Sequence, residues 1–361
     1  MVSATPDTFA FIIHPINPRA DVSRKWPHLG RLLTDRGIDA LSRFFPPVYI
    51  SQIEGVRSQE TGRTLTGWFI AVPYTPKKMR SLPPTTVYKK VIAAGRMAER
   101  RGARIMGLGA FTAVVGDAGV SIAEALDIPV TTGDSYTIYV AVEALRAAAR
   151  AMGIEMAQAS CAVVGATGAI GGTCAALLAR DVAELILIGR RPDALAAVRA
   201  RCVGKAGKVR TSLEVDDICE ADIILTASSA VGPLVHPEQL KPGAVVCDIA
   251  VPRDVAASVA RARDDVFVFD GGMVRVPGAV DFHFDFGMPP GMAYACMAET
   301  MALALEGRYE DYTLGRDITT AQVDEIAAIA ARHGFALGGF RSFDRAVSEA
   351  DIARVRARAG R

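Results

Sequence analysis

Apolar and polar positions divide the chain into three textures. From Met1 to about Gly153, strand-length apolar runs at 9–13, 67–72 and 104–108 alternate with stretches at 87–101 and 136–152 whose apolar positions recur at helical spacing. Prolines punctuate the first half of this zone. From Ser160 to about Asp270 the pattern becomes regular, with strand-like runs at 161–165, 185–189, 223–227, 245–249 and 266–269 separated by helix-length or loop segments. That order predicts βαβ units and a parallel sheet. The third zone opens at 286–290 and holds helical periodicity at 291–306 and 320–333, and an Arg- and Ala-rich tail at 341–361 reads as a solvated amphipathic helix or a frayed end.

The first strand of the regular zone runs into Gly165-Ala166-Thr167-Gly168-Ala169-Ile170-Gly171. A strand, a Gly-rich turn and a helix in this order suit a dinucleotide fingerprint. Gly165 permits the tight turn, Gly168 lets backbone approach a pyrophosphate, and Gly171 lets the helix sit close to the sheet, with the helix N-terminus facing the negative charge. The spacing is GxxGxxG. At the next strand end, where a carboxylate would hold a free ribose 2′-hydroxyl, the chain carries Arg190-Arg191. Two guanidinium groups favour a 2′-phosphate, hence NADP(H), over a merely solvated pair. Later strand ends add Ser228, Ser229, Val251, Gly271 and Gly272 as candidate cofactor contacts, each of which an ordinary turn would also explain. The expected fold is α/β: a Rossmann-type doubly wound parallel sheet at 156–285, flanked by an N-terminal α/β substrate domain at 1–155 and a C-terminal helical segment at 286–361.

Composition narrows the class. Half of the 361 residues are hydrophobic and 22% are charged, enough for a large core and against a disordered chain. Forty-one Lys and Arg against thirty-nine Asp and Glu leave a net charge of +2, which excludes the broad basic footprint of non-specific nucleic-acid binding. Locally, residues 77–104 hold nine basic side chains against Glu99, a surface suited to steering an anionic partner. The six cysteines form no CxxC pair, so neither a metal knuckle nor a disulfide scaffold is expected, and five of them read as small packed residues. The start lacks the basic and small-residue features of a secretory leader, and no run is long enough to cross a bilayer. A cytoplasmic protein that docks at most transiently on membrane, with no dedicated anchor, is the expectation.

Candidate chemistry concentrates after Pro289-Pro290, which suit the approach to a helix and its first turn, with Cys296 near the helix start. A helix N-terminus lowers a thiol pKa and favours a nucleophile; a cysteine among Met and Ala at helical spacing is more often a small core residue, and periodicity alone does not make it catalytic. A Tyr-x-x-x-Lys pair at Tyr74 and Lys78 is interrupted by Pro76 and lies upstream of the Gly-rich turn, against a short-chain dehydrogenase. Residues 73–77 bear a faint likeness to the lysine motif of shikimate dehydrogenases and 248–254 to glutamyl-tRNA reductases, which keeps an alcohol or hydroxy-acid dehydrogenase using Lys77 open. A non-catalytic NADP-binding protein is a further alternative.

Several collinear segments extend the picture: Gly107-Leu-Gly109-Ala-Phe-Thr, Thr131-Thr132-Gly133-Asp134-Ser135-Tyr136, the turn at 163–171, residues 182–189, Ala295-Cys296-Met-Ala-Glu299-Thr-Met and His333-Gly334-Phe335. Together they resemble the cyanobacterial-type long-chain acyl-[acyl-carrier-protein] reductases, which form fatty aldehydes. The resemblance implies that Cys296 is the acylated nucleophile, that NADPH is the reductant, and that the N-terminal domain shapes the acyl pocket. Candidate substrate contacts are Gly109, Thr132, Asp134, Ser135 and Tyr294. It further implies acyl-carrier protein or acyl-CoA as the substrate carrier, an aldehyde-consuming enzyme as a partner, and no metal. The run Asp134-Ser135-Tyr136 departs from the family's Asn-Thr-His-like run.

Overall fold

The computed structural model describes residues 7–230 and 232–361, so part of the leader reading, at 1–6, lies outside them. The chain forms two compact units built from separate stretches. One takes the chain up to Tyr136 with Val274–Asp317 and Glu325–Ala336; the other takes Thr137–Met273, Ile318–Asp324 and Leu337–Arg361. The stretch after 286 is thereby shared between the two units instead of standing as a segment of its own.

In the first unit β1 (Thr8–Ile13), β2 (Val48–Arg57), β3 (Thr64–Ala71), β4 (Met106–Leu108) and β5 (Val130–Thr131) join the strand Gly278–Asp281 in one sheet, in the order Gly278–Asp281, β2, β3, β1, β4, β5. Strands β3, β1, β4 and β5 are parallel, and β2 runs against both its neighbours. Alternation along β1 sets the two faces. Ala10 and Ile12 pack with Val87, Val91 and Ala94 of helix Pro84–Arg100. Phe11 points the other way, where its ring meets Phe69 edge-on. That second face receives helix Ala295–Glu306: a methyl on Gly107 would lie 2.1 Å from Thr300 Oγ1, so only glycine lets this helix close on the sheet.

Parallel strands carry all their C-terminal ends to one edge, so the segments after Ile13, Ala71, Leu108 and Thr131 gather there. At the opposite edge Ser58 Oγ lies 2.8 Å from His333 Nδ1, and His333 Nε2 lies 2.8 Å from Glu306 Oε2. This Ser-His-Glu order is a clasp: Ser58 and His333 are buried, and Ser58 Oγ also accepts the Thr61 N–H that closes the hairpin between β2 and β3.

The second unit holds β6 (Ser160–Val164), β7 (Glu184–Ile188), β8 (Lys208–Ser212), β9 (Ile223–Thr226), β10 (Val245–Asp248) and β11 (Phe267–Asp270) in the order β8-β7-β6-β9-β10-β11, all parallel. This is the doubly wound Rossmann order, with its switch point between β6 and β9. The five apolar runs all become strands; the sixth, β8, is polar and partly exposed, which hides it from a hydrophobic pattern. The tail is ordered rather than frayed. Hairpin Phe340–Ser342/Arg345–Val347 leads to helix Glu349–Arg358, which Ser348 and Asp351 cap reciprocally and whose Ile352 enters the core. Cys161, Cys174, Cys202 and Cys247 are buried as expected, whereas Cys219 is exposed.

Candidate active site

Helix Ala295–Glu306 begins only after the short strand Met292–Tyr294, so Pro289 and Pro290 precede it without entering its first turn. Cys296 is its second residue and is partly exposed. Glu299, three residues on and therefore on the same side of the helix, is fully buried. It collects donors from the end of β5, the turn after it and the stretch after its own helix: Thr131 Oγ1 at 2.5 Å, the Tyr136 N–H at 2.7 Å, and Thr313 Oγ1 at 3.0 Å, with a further contribution from the Gly133 backbone. Ser135 Oγ lies 2.9 Å from the same Thr313 hydroxyl, and Thr132 donates to the Thr313 carbonyl at 2.6 Å. These bonds draw the 131–136 turn against helix Ala295–Glu306. Gly133, at φ +79°, sits so close that a methyl on it would fall 2.3 Å from Cys296 Cα and Cβ. Thr132, Asp134 and Ser135 are thus brought to the cysteine.

From the other side, the turn after β4 supplies Ala110, a non-glycine residue at φ 47°, ψ −119°. The Ala110 and Met297 N–H groups are both directed at the Cys296 sulfur. Such a backbone conformation costs about 1–3 kcal/mol and needs support. Buried His14 provides it: its Nε2 accepts the Phe111 N–H at 3.0 Å, with Nδ1 3.4 Å from the Pro15 carbonyl. Burial pulls the His14 pKa down to about 4, so the ring stays neutral and Nε2 stays an acceptor. Gly109 belongs to this turn, where a methyl would lie 2.7 Å from the Ile12 carbonyl.

The electrostatics overturn one expectation. Burial, then the carboxyls of Asp134 and Glu299, push the Cys296 thiol up to about 12, against the helix N-terminus and the two N–H groups. The resting sulfur is a thiol. Burial and the neighbouring Glu299 push Asp134 up to about 8, while burial also raises Glu299 against its four donors. Two adjacent buried carboxyls cannot readily both ionise; the better-solvated anion is Glu299, and Asp134 holds the proton at neutral pH.

Other residues lie apart from this cluster or at its margin. His283 faces Asp281 at 3.3 Å and Glu54 at 3.7 Å, both on exposed strand positions. Tyr294 is the N-cap residue of helix Ala295–Glu306, its ring 6.2 Å from that of Phe286. The basic stretch splits: Thr8 Oγ1 donates to the Gly102 carbonyl at 2.6 Å, which places Arg100 and its neighbours beside the start of β1, at the edge away from Cys296. Lys77, Lys78 and Arg80, on helix Pro76–Ser81, follow a C-terminal strand end, and Lys78 is spent on Asp39 at 3.8 Å.

In the second unit the Gly-rich turn has the geometry that a pyrophosphate needs. Gly165 has φ +82° and would place a methyl 2.6 Å from the Ala227 carbonyl; a methyl on Gly171 would lie 2.4 Å from the Gly165 carbonyl. Gly168 caps helix Ala169–Leu178, whose N–H groups open onto the turn formed by Ala166, Thr167, Ala169 and Ile170. Arg190 and Arg191 are exposed beside it, and Arg191 Nη2 donates to the Thr167 carbonyl at 3.3 Å. The cradle therefore fits a dinucleotide with a phosphorylated ribose. Ser228 is occupied structurally: its N–H and hydroxyl both go to buried Asp254, at 2.9 and 2.5 Å. Ser229 and Val251 are exposed, Gly272 is at φ +91°, and Gly271 makes room for Ile249, 2.2 Å from where its methyl would be. Among the described residues no cluster of three potential metal ligands occurs, and no helix is long and apolar enough to cross a membrane.

Comparison with known proteins fits this division. A family model described as shikimate/quinate 5-dehydrogenase matches residues 146–270, the nucleotide unit without Lys77. A long-chain acyl-[acyl-carrier-protein] reductase from Synechococcus elongatus is 31% identical over 330 residues, covering 87% of this chain and 94% of that protein. The chain belongs to this reductase family. Aminotransferase PigE from a Serratia species is 30% identical over 279 residues, 76% of this chain, and the match spans 33% of that protein's length. Among solved structures, glutamyl-tRNA reductase from Methanopyrus kandleri aligns with 61% of this chain and 43% of its own, at 18% identity and a TM-score of 0.31.

For this member of the reductase family, Glu299, Gly133, Ala110 and His14 shape the surroundings of Cys296 without having been singled out in the sequence. The i, i+3 spacing of Cys296 and Glu299 was a usable signal for the first. The backbone conformations of Gly133 and Ala110 leave no trace in a hydrophobic pattern.

Proposed function

We propose that the protein reduces a long-chain fatty acyl thioester, carried by acyl-carrier protein or coenzyme A, to the fatty aldehyde with NADPH, through an acyl-enzyme on Cys296. The observation that carries this reading is the setting of Cys296: a thiol between two directed N–H groups, with the Asp134 and Glu299 carboxyls alongside, in a chain of this family. Gly165–Gly171 would hold the pyrophosphate, with Arg190 and Arg191 on the 2′-phosphate.

The Cys296 sulfur attacks the thioester carbonyl, forming the new C–S bond as the bond to the carrier sulfur breaks. The protonated Asp134 carboxyl gives its proton to the departing carrier thiolate while its other oxygen takes the proton of Cys296, so no charge is stranded in the buried site. Ala110 and Met297 N–H groups stabilise the negative charge that gathers on the Cys296 sulfur in each direction. Glu299 stays ionised under its four donors and keeps Gly133 and Asp134 against the cysteine. When bound, the dihydronicotinamide supplies a hydride to the acyl carbon. Collapse of the resulting alkoxide breaks the C–S bond, releases the aldehyde, and returns Cys296 to a thiol with a proton that Asp134 relays from solvent. Gly109, Thr132, Ser135 and Tyr294 are the proposed contacts of the acyl thioester.

The test is NADPH consumption across a panel of acyl-carrier and acyl-CoA thioesters, with aldehyde identified by mass spectrometry. Aldehyde in stoichiometric yield is expected. Oxidation of an alcohol with NADP⁺, with no thioester reduced, would replace this reading with the Lys77 dehydrogenase.

A further inference from the structure

We infer that the segment between β1 and β2 is an interfacial surface that docks the protein on an anionic bilayer, at the sheet edge that carries Cys296. The inference rests on the reading of the product as a long-chain aldehyde, which a bilayer dissolves and water does not.

The chain leaves β1 at Ile13, at the edge where the C-terminal strand ends gather, and builds helices Pro18–Lys25, Pro27–Leu32 and Asp35–Leu41 before β2 begins at Val48. Twelve large hydrophobic side chains are exposed among the described residues, and seven of them lie between 16 and 45. Leu32 is 80% exposed, Phe44 74% and Phe45 50%; Trp26, Leu29 and Leu41 are each about 40% exposed. Leu29 and Leu32 share one side of their helix by their spacing. The Phe44-Phe45 backbone is pinned, because Lys90 Nζ donates to the carbonyls of Phe45 at 2.6 Å and Arg43 at 3.1 Å. The rings are therefore held out from a fixed support. The apolar tips are interspersed with Arg19, Arg24, Lys25, Arg31, Arg36 and Arg43 against Asp21, Asp35 and Asp39. Among the described residues Arg31 and Arg36 make no ion pair, and Arg43 has no ion pair but lies over the Phe44 ring, 5.1 Å from its centroid.

Exposed Leu, Phe and Trp among an excess of cations are what an anionic lipid surface accepts: apolar side chains enter the headgroup boundary and the cations meet phosphates. The other occupants fit less well. A second copy of this chain would press like charges together, and an acidic carrier protein would match the arginines while leaving the apolar tips without partners. The helices are far shorter than a bilayer is thick, so the mode is surface docking and not insertion.

The test is co-sedimentation of the full-length protein with vesicles of phosphatidylcholine alone or with phosphatidylglycerol. Three proteins are compared: wild type, the triple variant L32S/F44S/F45S, and R31E/R36E/R43E. Wild type should partition onto the anionic vesicles about tenfold more strongly than onto neutral ones, and each variant should lose about tenfold or more of that binding. Both variants should retain wild-type thermal midpoints and turnover of a short-chain, water-soluble acyl thioester. Absent vesicle binding by wild type, or undiminished binding by L32S/F44S/F45S, overturns the proposal. So does a concentration-dependent dimer that the apolar variant dissolves, or a KM for acyl-carrier substrate that rises in R31E/R36E/R43E while vesicle binding stays. Should no protein turn over any thioester, the catalytic reading fails, and the sedimentation result still decides the docking.

Discussion

Asp134→Asn tests the electrostatic core of the site. At pH 7 the Asp134 carboxyl, pushed up to about 8 by burial and by Glu299, carries its proton; asparagine copies that neutral shape and removes the ionisation. In the wild type, Asp134 ionises as pH rises through about 8, and its charge then opposes a thiolate on Cys296, whose own pKa is pushed up to about 12. Two like charges ~6 Å apart at an effective dielectric of ~20 repel by roughly 3 kcal/mol, or about two pK units. The alkylation of Cys296 by iodoacetamide should therefore show a midpoint about one to two units lower in D134N than in wild type, with little difference below pH 7 where both side chains are neutral. Stability follows the same sign. A folded carboxyl pKa above the unfolded 3.8 favours the native state at low pH, and that advantage is lost as pH rises from about 4 to about 8. Urea unfolding of D134N should lack this slope. Turnover should move oppositely to thiol reactivity: without a proton relay, kcat should fall by about 10²–10³ with KM nearly unchanged. A D134N enzyme within threefold of wild-type kcat, or an unshifted alkylation profile, refutes the role assigned to Asp134.

Three further outcomes follow from the same geometry. Gly133→Ala forces a methyl to 2.3 Å from Cys296 at φ +79°, so it should cost about 1–3 kcal/mol in chemical denaturation and depress kcat more than the KM for NADPH. His14→Gln removes the ring that fixes the Ala110 turn. It should lower kcat by about tenfold to a hundredfold, and it should flatten the loss of roughly 3 kcal/mol that wild type shows as pH falls from 6.5 to about 4, measured by unfolding across that range. Replacing Arg190 and Arg191 together with serine should raise the KM for NADPH by about tenfold or more and leave that for NADH within about threefold, read from initial rates with each cofactor.

The nucleotide unit was legible because each of its buried strands is a continuous apolar run, and a parallel sheet covered on both faces demands such runs. Only β8, polar and partly exposed, escaped. The first unit was harder. Strand β2 alternates irregularly through a bulged register, and the three helices after β1 expose the residues that a pattern would assign to a core. Cys296 was singled out through neighbouring motifs, and there the helix-terminus argument for a low thiol pKa failed. Burial and two carboxyls from distant or turned segments outweigh the helix end, and the closeness of Asp134 depends on Glu299 gathering the 131–136 turn. A side chain's tertiary electrostatic neighbours are not written in its local sequence.

The most direct measurement is the intact mass of the protein after incubation with a long-chain acyl thioester in the absence of reductant. The account predicts one added acyl group, mapped to Cys296 by peptide fragmentation, discharged as aldehyde on adding NADPH and absent from C296A. Aldehyde formation by C296A at a wild-type rate, or an acyl group that maps to another residue and turns over, would contradict it.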